Sequence, residues 1–274
     1  MNTPVTIEGL ALWGGLLCYV AGGTLSIIDC VFDRRWHHRV AVVLLMGSVL
    51  HALAIGLRWE RVGHGPFITM FEILSSNIWS LAAIFLVFYR LIPAVRPSSV
   101  VVMPILFMMM GWLLVSNPAA GHFPPTYRTA WLFVHVAFGK LFLGSVLLGV
   151  GLSGAVLLRR AGVGWKPLQA LPGQAQISAL AFRFVVVGFI FESLMLVAGA
   201  IWAQDAWGRY WAWDPLETWA FLTWLLVALF LHARVSMRLS ETSAAVTVLA
   251  IFVVAFLTFF GVPFVSLSPH KGAV

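Results

Sequence analysis

Eight apolar runs of membrane-spanning length dominate the chain, at about residues 9–32, 40–57, 70–89, 99–115, 130–158, 184–203, 215–235 and 243–262. A helix needs about 20 consecutive apolar residues to cross the hydrocarbon core of a bilayer. Only helices suit runs of this length, because each helix satisfies its own backbone hydrogen bonds in lipid. We therefore predict an all-α, polytopic membrane bundle of about eight transmembrane helices, with residues 1–274 as a single integral membrane domain.

The composition excludes a soluble protein, because 61% of the residues are hydrophobic, 10% are charged and the mean hydropathy is +0.96. A signal peptide begins with a positively charged region, but the first ten residues of this chain contain no Lys or Arg. We therefore expect the first apolar run to remain as a membrane span. Its two cysteines, Cys18 and Cys30, are separated by ~18 Å along a helix, which excludes a disulfide bond between them.

Basic residues alternate between loops in a way that predicts topology. One set of loops carries 11 of the 17 Lys and Arg residues: Arg34, Arg35, Arg39, Arg90, Arg96, Arg159, Arg160, Lys166, Arg183, Arg234 and Arg238. The other set carries five: Arg58, Arg61, Arg128, Arg209 and Lys271. Loops rich in Lys and Arg stay in the cytoplasm, which places the first set of loops there. The net charge of +7 therefore reflects membrane topology, and we expect no nucleic-acid partner. Both termini are predicted on the outer side. The longest loop, residues 159–183, contains several Gly and Pro residues and is interpreted as a connector.

Six of the 13 tryptophans lie in residues 202–224, here called the Trp-rich segment, at the predicted outer membrane surface. Interfacial Trp residues commonly form an aromatic belt, which is the simpler interpretation of any one of them. The ordered string WGRYWAWDPLETWAFLTW instead suits a flat ligand with a charged edge, and haem has that shape. The candidate haem-contacting residues are Trp207, Arg209, Tyr210, Trp211, Trp213, Asp214, Trp219 and Trp224, with Arg128 or Arg209 pairing with the propionates.

Three histidines are candidate iron ligands. His135 and His270 both lie near the predicted depth of the Trp-rich segment, and two imidazoles can hold a haem iron from opposite sides. His232 lies 17 residues beyond Pro215, or ~26 Å along the helix, and would serve a second, inner site. A solvated or interhelical histidine remains the alternative for each, and His51 is expected either to bond a neighbouring helix or to be a ligand.

The other histidines have simpler interpretations. His37 and His38 belong to a solvated basic loop, whereas His64 and His122 are turn residues or haem-edge contacts. Two charges fall inside spans at matching depths, Lys140 and Glu192. Because bare charges are costly in lipid, we expect an ion pair between their helices, with a proton or ion pathway as the alternative.

The start of the seventh run has the pattern of a helix N-terminus. Asp214 suits the N-cap position, Pro215 the first helical position and Glu217 the reciprocal position of a capping box. These roles compete with ligand binding for Asp214, although a fixed helix start would also orient Trp211 and Trp213.

The Trp-rich segment resembles the WWD signature of haem-handling membrane proteins, and its WDPLETWAFLTW form is similar to the CcsA (ResC) family of System II cytochrome c biogenesis. Four further blocks resemble the same family: RWERVGHGPFITMFEIL (residues 58–74), WLFVHV (131–136), LHAR (231–234) and FGVPFVSLSPH (260–270). The resemblance implies that His135 and His270 are axial ligands of an outward-facing haem and that His232 contributes to an inner haem.

The implied function is that of a haem-binding and haem-exporting subunit of a cytochrome c synthase complex in the bacterial cytoplasmic (inner) membrane, with its functional loops in the periplasm. The cofactor would be haem b (iron protoporphyrin IX). The implied partners are a CcsB/ResB-type membrane subunit, an apocytochrome c with a CxxCH motif and, indirectly, a thioredoxin-like thiol-reducing protein. Two alternatives remain: a HemX-like regulatory or assembly protein of tetrapyrrole metabolism, and a transporter coupled through Lys140 and Glu192.

Overall fold

The computed structural model describes residues 6–32, 34–162, 173–237 and 239–265. The helices in these ranges are α1 (Ile7–Phe32), α2 (His37–Val62), α3 (Met70–Leu91), α4 (Ser99–Val115), α5 (Ala130–Arg160), α6 (Gln174–Trp207), α7 (Pro215–Ser236), α8 (Glu241–Phe256) and α9 (Val262–Val265). Short 3₁₀ helices cover Pro93–Ser98 and Pro125–Tyr127, and one turn of π-helix, Leu257–Gly261, joins α8 to α9.

Eight helical segments in the described ranges are long and apolar enough to cross a membrane, which confirms the predicted all-α fold. The predicted boundaries differ most at α6, which begins at Gln174 and not near residue 184. The Gly and Pro residues of the connector end at Gly173, the N-cap of α6. Residues 174–183 contain no helix breaker, and Ile177 and Ala181 are buried at helical spacing. The predicted loop over 159–183 was therefore too long.

The described residues divide into two compact units, the first up to Gly121 and the second from His122 onwards. In the first unit α1 and α2 pack through small residues. A Cβ atom added to Gly15 would lie 3.0 Å from the backbone nitrogen of His51, and one added to Gly22 would lie 2.8 Å from a methyl group of Leu44. Such close approach is typical of membrane helix pairs, which gain stability from direct packing.

Several buried polar side chains of the first unit are paired. The buried Arg58 donates from Nε to Glu72 Oε1 at 3.0 Å and from Nη2 to the Pro118 carbonyl at 3.0 Å. Glu72 also closes a capping box with Thr69 at the start of α3. His51 is fully buried, and its Nε2 lies 2.9 Å from Ser75 Oγ on α3. The structure therefore favours the interhelical interpretation of His51.

The second unit is built around α5, which packs on α6 along a line of glycines. Added Cβ atoms at Gly139 and Gly188 would meet Met195 Sδ and Val146 Cγ2, each at 3.1 Å. Gly149 similarly approaches Val185. The contacts pair residue 149 with 185, 146 with 188 and 139 with 195, so the two helices run antiparallel with their small residues in the interface.

The ion pair predicted between Lys140 and Glu192 is not formed. Glu192 is fully buried, and neither carboxylate oxygen has a hydrogen-bond partner in the described part of the chain. The antiparallel register explains the error, because it places Glu192 opposite Phe142 of α5. Lys140 follows Gly139 and lies ~100° around α5 from that interface position. Matching depths along two helices do not bring side chains together unless their helical faces also match.

The prediction about cysteines is confirmed, since Cys18 and Cys30 are both free thiols.

Candidate functional site

A seven-residue loop, residues 208–214, joins α6 to α7 at one end of the second unit. Helix α6 ends at Trp207 and is capped by Gly208, whose left-handed φ of 72° lets its N–H donate to the Gln204 carbonyl. Helix α7 begins with the predicted capping box: the Glu217 N–H donates to Asp214 Oδ1 at 2.9 Å, and the Asp214 N–H donates to Glu217 Oε2 at 3.4 Å. The local sequence therefore fixes both ends of the loop.

Trp213 adopts a left-handed backbone conformation with a φ of 58°, which is strained for a residue other than Gly. Glu217 supports this conformation from both sides, because its Oε2 accepts the N–H groups of Ala212, at 2.7 Å, and of Asp214. The indole of Trp213 is 68% exposed. The loop thus holds a large aromatic side chain at the surface, at the cost of backbone strain.

The aromatic residues of the Trp-rich segment form two groups. In the first, Trp211 and Trp213 meet edge to face at 5.7 Å, and both contact Phe221 edge to face. Phe221 stacks on Trp224 at 6.0 Å with an interplanar angle of 10°. This group continues into α7, where Trp224 lies ~14 Å from the helix start, so the aromatic surface extends below the loop.

The second group surrounds Trp202, in the last two turns of α6. Trp202 contacts Trp207 at 5.1 Å, Tyr127 at 5.3 Å and the His135 ring at 6.0 Å. Its indole N–H donates to the Thr126 carbonyl at 3.1 Å, which fastens the 3₁₀ helix Pro125–Tyr127 to α6. Burial raises the pKa of Tyr127 to about 12, so its phenol stays protonated.

His135 has the tautomer that an iron ligand needs. Its Nδ1 lies 2.9 Å from the Met195 carbonyl of α6. A carbonyl oxygen only accepts, so Nδ1 carries the proton and Nε2 of the neutral ring carries the lone pair. Histidine ligands of metals are typically held in this way, by a hydrogen bond from the second ring nitrogen. Close packing adds to the constraint, since a Cβ added to Gly199 would lie 2.7 Å from Nδ1.

The structure describes one of the two other predicted ligands, His232, which was predicted to serve a separate inner site. His232 lies near the end of α7 and is exposed. His270 lies outside the described residues, so its predicted role stays a prediction. In the described ranges, no group of three or more His, Cys, Asp or Glu side chains could hold a metal ion. Haem iron needs only one imidazole on each face.

The remaining predicted contacts lie in or near the loop. Arg209, Tyr210 and Trp219 are exposed, whereas Trp207 and Trp211 are half-buried. Arg128 is exposed and its guanidinium lies 5.9 Å from the ring centre of Phe123. The indole nitrogen of Trp211 is buried and has no acceptor in the described part of the chain. An acceptor on a ligand, such as a carboxylate, would satisfy this N–H group.

Sequence reasoning missed Tyr127, Gly199 and Phe221. Tyr127 was detectable in principle, because the Pro124-Pro125 pair marks a turn directly before α5. Gly199 and Phe221 lie within apolar runs, where nothing in the sequence distinguishes a residue of the site from one that only packs.

These features define a helical membrane protein with an aromatic cluster at the start of α7 and an imidazole oriented by a hydrogen bond between α5 and α6. Residues 16–270 match the family described as Cytochrome C assembly protein. The chain therefore belongs to the cytochrome c assembly protein family, as the resemblance predicted.

Several proteins similar to this chain are named cytochrome c biogenesis protein CcsA. The protein of Prochlorococcus marinus (strain MIT 9301) is 26% identical, over 98% of this chain and 94% of the relative. That of Synechococcus sp. (strain CC9605) is 28% identical, over 99% of this chain and 98% of the relative. That of Chlamydomonas reinhardtii is 28% identical, over 91% of this chain and 72% of the relative.

Proposed function

We propose that this chain is the haem-binding subunit of a cytochrome c synthase complex. It holds haem b beside the Trp-rich segment and presents it for covalent attachment to the CxxCH motif of an apocytochrome c. The observation that carries the proposal is the His135 imidazole, fixed by the Met195 carbonyl in the tautomer with Nε2 as the ligand atom and packed against Trp202.

Haem is the substrate of the attachment reaction, in which each cysteine S–H of the apocytochrome adds across a vinyl group and forms a thioether. The nucleophiles come from the cytochrome, so this chain supplies positioning and iron ligation. His135 and His270 would hold the iron, while Trp211, Trp213 and Trp224 line the ring. Arg128, Arg209 and the Trp211 N–H would receive the propionates.

The same proposal assigns a topology and partners. The loops that carry most of the Lys and Arg residues lie in the cytoplasm, so the α6–α7 loop faces the periplasm of a bacterial inner membrane. His232, exposed near the other end of α7, would contribute to an inner haem site with a ligand from a CcsB/ResB-type subunit. A thioredoxin-like protein would keep the apocytochrome thiols reduced.

Complementation of a deletion strain tests this function. Deletion should abolish c-type cytochromes, as measured by peroxidase staining of haem retained in denaturing gels, and the intact gene should restore them. We expect His135→Ala to reduce restoration by about 100-fold or more, since loss of an oriented ligand leaves the haem mispositioned. Leu141→Ala removes an exposed apolar side chain from the same helix and is the control, which should restore fully.

A deletion strain that retains normal c-type cytochromes would contradict the proposal. That result would favour a regulatory role in tetrapyrrole metabolism.

A further inference from the structure

The first unit contains a small basic cavity at the end where α2 begins and α3 ends. Its volume is about 250 Å³, and it is lined by His37, His38, Tyr89, Arg90 and Arg96. His37, His38 and Arg90 are exposed, Arg96 is half-buried and Tyr89 is buried. The lining therefore combines two guanidinium groups and two imidazoles around an accessible mouth, with a phenol ring below.

In the part of the chain that the structure describes, neither guanidinium forms an ion pair with a carboxylate. The ion pairs of the described residues involve Arg58, Arg61 and His64, and none includes Arg90 or Arg96. Arg96 donates from Nε to the Tyr89 carbonyl at 3.2 Å, and its guanidinium lies 5.9 Å from the Tyr89 ring centre. Each guanidinium has five N–H donors, so most of this donor capacity remains available to a ligand.

The cavity lies beside the start of α2, to which His37 and His38 belong. The N-cap residue, Trp36, makes no side-chain cap, and the first turn of α2 contains no acidic residue. Arg90 Nη1 lies 3.4 Å from His38 Nδ1, which must accept because guanidinium only donates, so Nε2 of His38 carries a proton. The neighbouring acid Asp29 accepts the Trp36 N–H at 2.7 Å, which fixes the turn before α2.

Size and chemistry together select the ligand. A cavity of about 250 Å³ falls below the ~300–1,000 Å³ of typical cofactor and drug sites, and its lining offers little apolar surface to a porphyrin. Convergent guanidinium and imidazole donors at a helix N-terminus match the oxygens of a phosphate group. Because α2 and α3 have spanning length, their ends lie at the depth of the lipid headgroups.

We propose that this basic cavity is a phosphate-binding site, which takes the phosphate of an anionic phospholipid headgroup or a free phosphate ion. The site lies in the first unit and is independent of haem binding in the second. On the proposed topology it opens to the cytoplasmic leaflet, where anionic lipids attract basic residues. Bound phosphate would bridge α2 to α3 and hold the helix ends together.

Native mass spectrometry of the intact protein released from nanodiscs tests the proposal. The nanodiscs contain equal amounts of phosphatidylglycerol and phosphatidylcholine. Wild-type protein should retain phosphatidylglycerol selectively, and Arg90→Gln should reduce that retention about tenfold, because it removes a charge-assisted hydrogen bond to the bound phosphate. Arg90→Gln is chosen because Arg90 is exposed and its side chain hydrogen-bonds His38 at the surface, so the fold should persist.

Arg39→Gln is the matched control. It also removes one exposed charge, from the first turn of α2, but Arg39 does not line the cavity. Its retention of phosphatidylglycerol should equal that of the wild type. A second arm adds inorganic phosphate to protein in nanodiscs of pure phosphatidylcholine and measures the thermal unfolding midpoint. A rise in the wild type that Arg90→Gln abolishes identifies free phosphate as a ligand, whereas selective lipid retention without such a rise identifies the headgroup.

Equal losses of phosphatidylglycerol in Arg39→Gln and Arg90→Gln would overturn the proposal, because they would show diffuse attraction to the membrane. Absence of both selective retention and a phosphate-dependent rise would overturn it as well.

Discussion

Glu217 links helix capping to the conformation of an exposed tryptophan. As the capping-box residue of α7 it would contribute ~1 kcal/mol to the helix start. Its Oε2 also accepts the Ala212 N–H, one residue before Trp213, and thereby supports the strained φ of 58°. Strain of this kind costs ~1–3 kcal/mol and persists only where its surroundings enforce it. Glu217 is therefore a positioning residue for Trp213.

Substitution of Glu217 separates these roles. Glu217→Ala removes the acceptor of Ala212 and Asp214, so we expect faster proteolysis within residues 208–214 and lower haem occupancy of the purified protein. Glu217→Gln retains an acceptor oxygen, so it should preserve most of the resistance to proteolysis and most of the haem occupancy. Limited proteolysis followed by mass spectrometry measures the first effect, and absorbance at the Soret band per protein measures the second.

Two further variants control this experiment. Glu241→Ala removes an acid from the first turn of α8 and should leave the loop unchanged. Trp213→Gly removes the strain of the positive φ but also removes the indole. The loop should therefore stay protected from proteolysis while haem occupancy falls. Equal proteolysis of the wild type and Glu217→Ala would show that the capping box does not hold the loop.

At the scale of the element, the contact between α5 and α6 positions the candidate ligand. The His135 ring is accommodated because residue 199 of α6 has no side chain, and a Cβ there would lie 2.7 Å from Nδ1 and 2.9 Å from Cε1. The same helix pair supplies the Met195 carbonyl that orients the ring. The packing of two helices thus determines where an imidazole can lie.

Gly199→Ala should displace the imidazole without unfolding the pair. Overpacking typically costs ~1–3 kcal/mol, and here the ring gives way before the backbone, so we expect haem occupancy to fall about tenfold. Gly188→Ala is the matched control on α6, since its Cβ meets Val146 at 3.1 Å and not the ligand. Soret absorbance after purification measures both variants, and equal occupancy in the two would contradict the positioning role of Gly199.

The sequence predicted where the spanning helices lie, but not which faces of those helices contact one another. Apolar runs located all eight spanning helices, and Asp214, Pro215 and Glu217 predicted the start of α7 because capping is a local interaction. Lys140 and Glu192 were assigned to each other from depth alone, although the rotation of α5 separates them. His135 and Met195 are 60 residues apart, and their contact depends on the register of two helices, which no local pattern contains.

For the whole molecule, the two units carry different polar features. The first contains the buried Arg58–Glu72 pair and the basic cavity, and the second contains His135 and both aromatic groups. The match to the cytochrome c assembly protein family runs over residues 16–270 and so covers both units. The proposed phosphate site therefore lies in one unit and the candidate haem contacts in the other.

The central claim is that His135 ligates haem iron, and absorption spectroscopy tests it most directly. Complex purified through a tag on this chain should show the spectrum of low-spin haem with two imidazole ligands. His135→Ala should weaken that spectrum, and added imidazole should restore it by occupying the vacated position. An unchanged spectrum in His135→Ala, before any imidazole is added, would contradict the account.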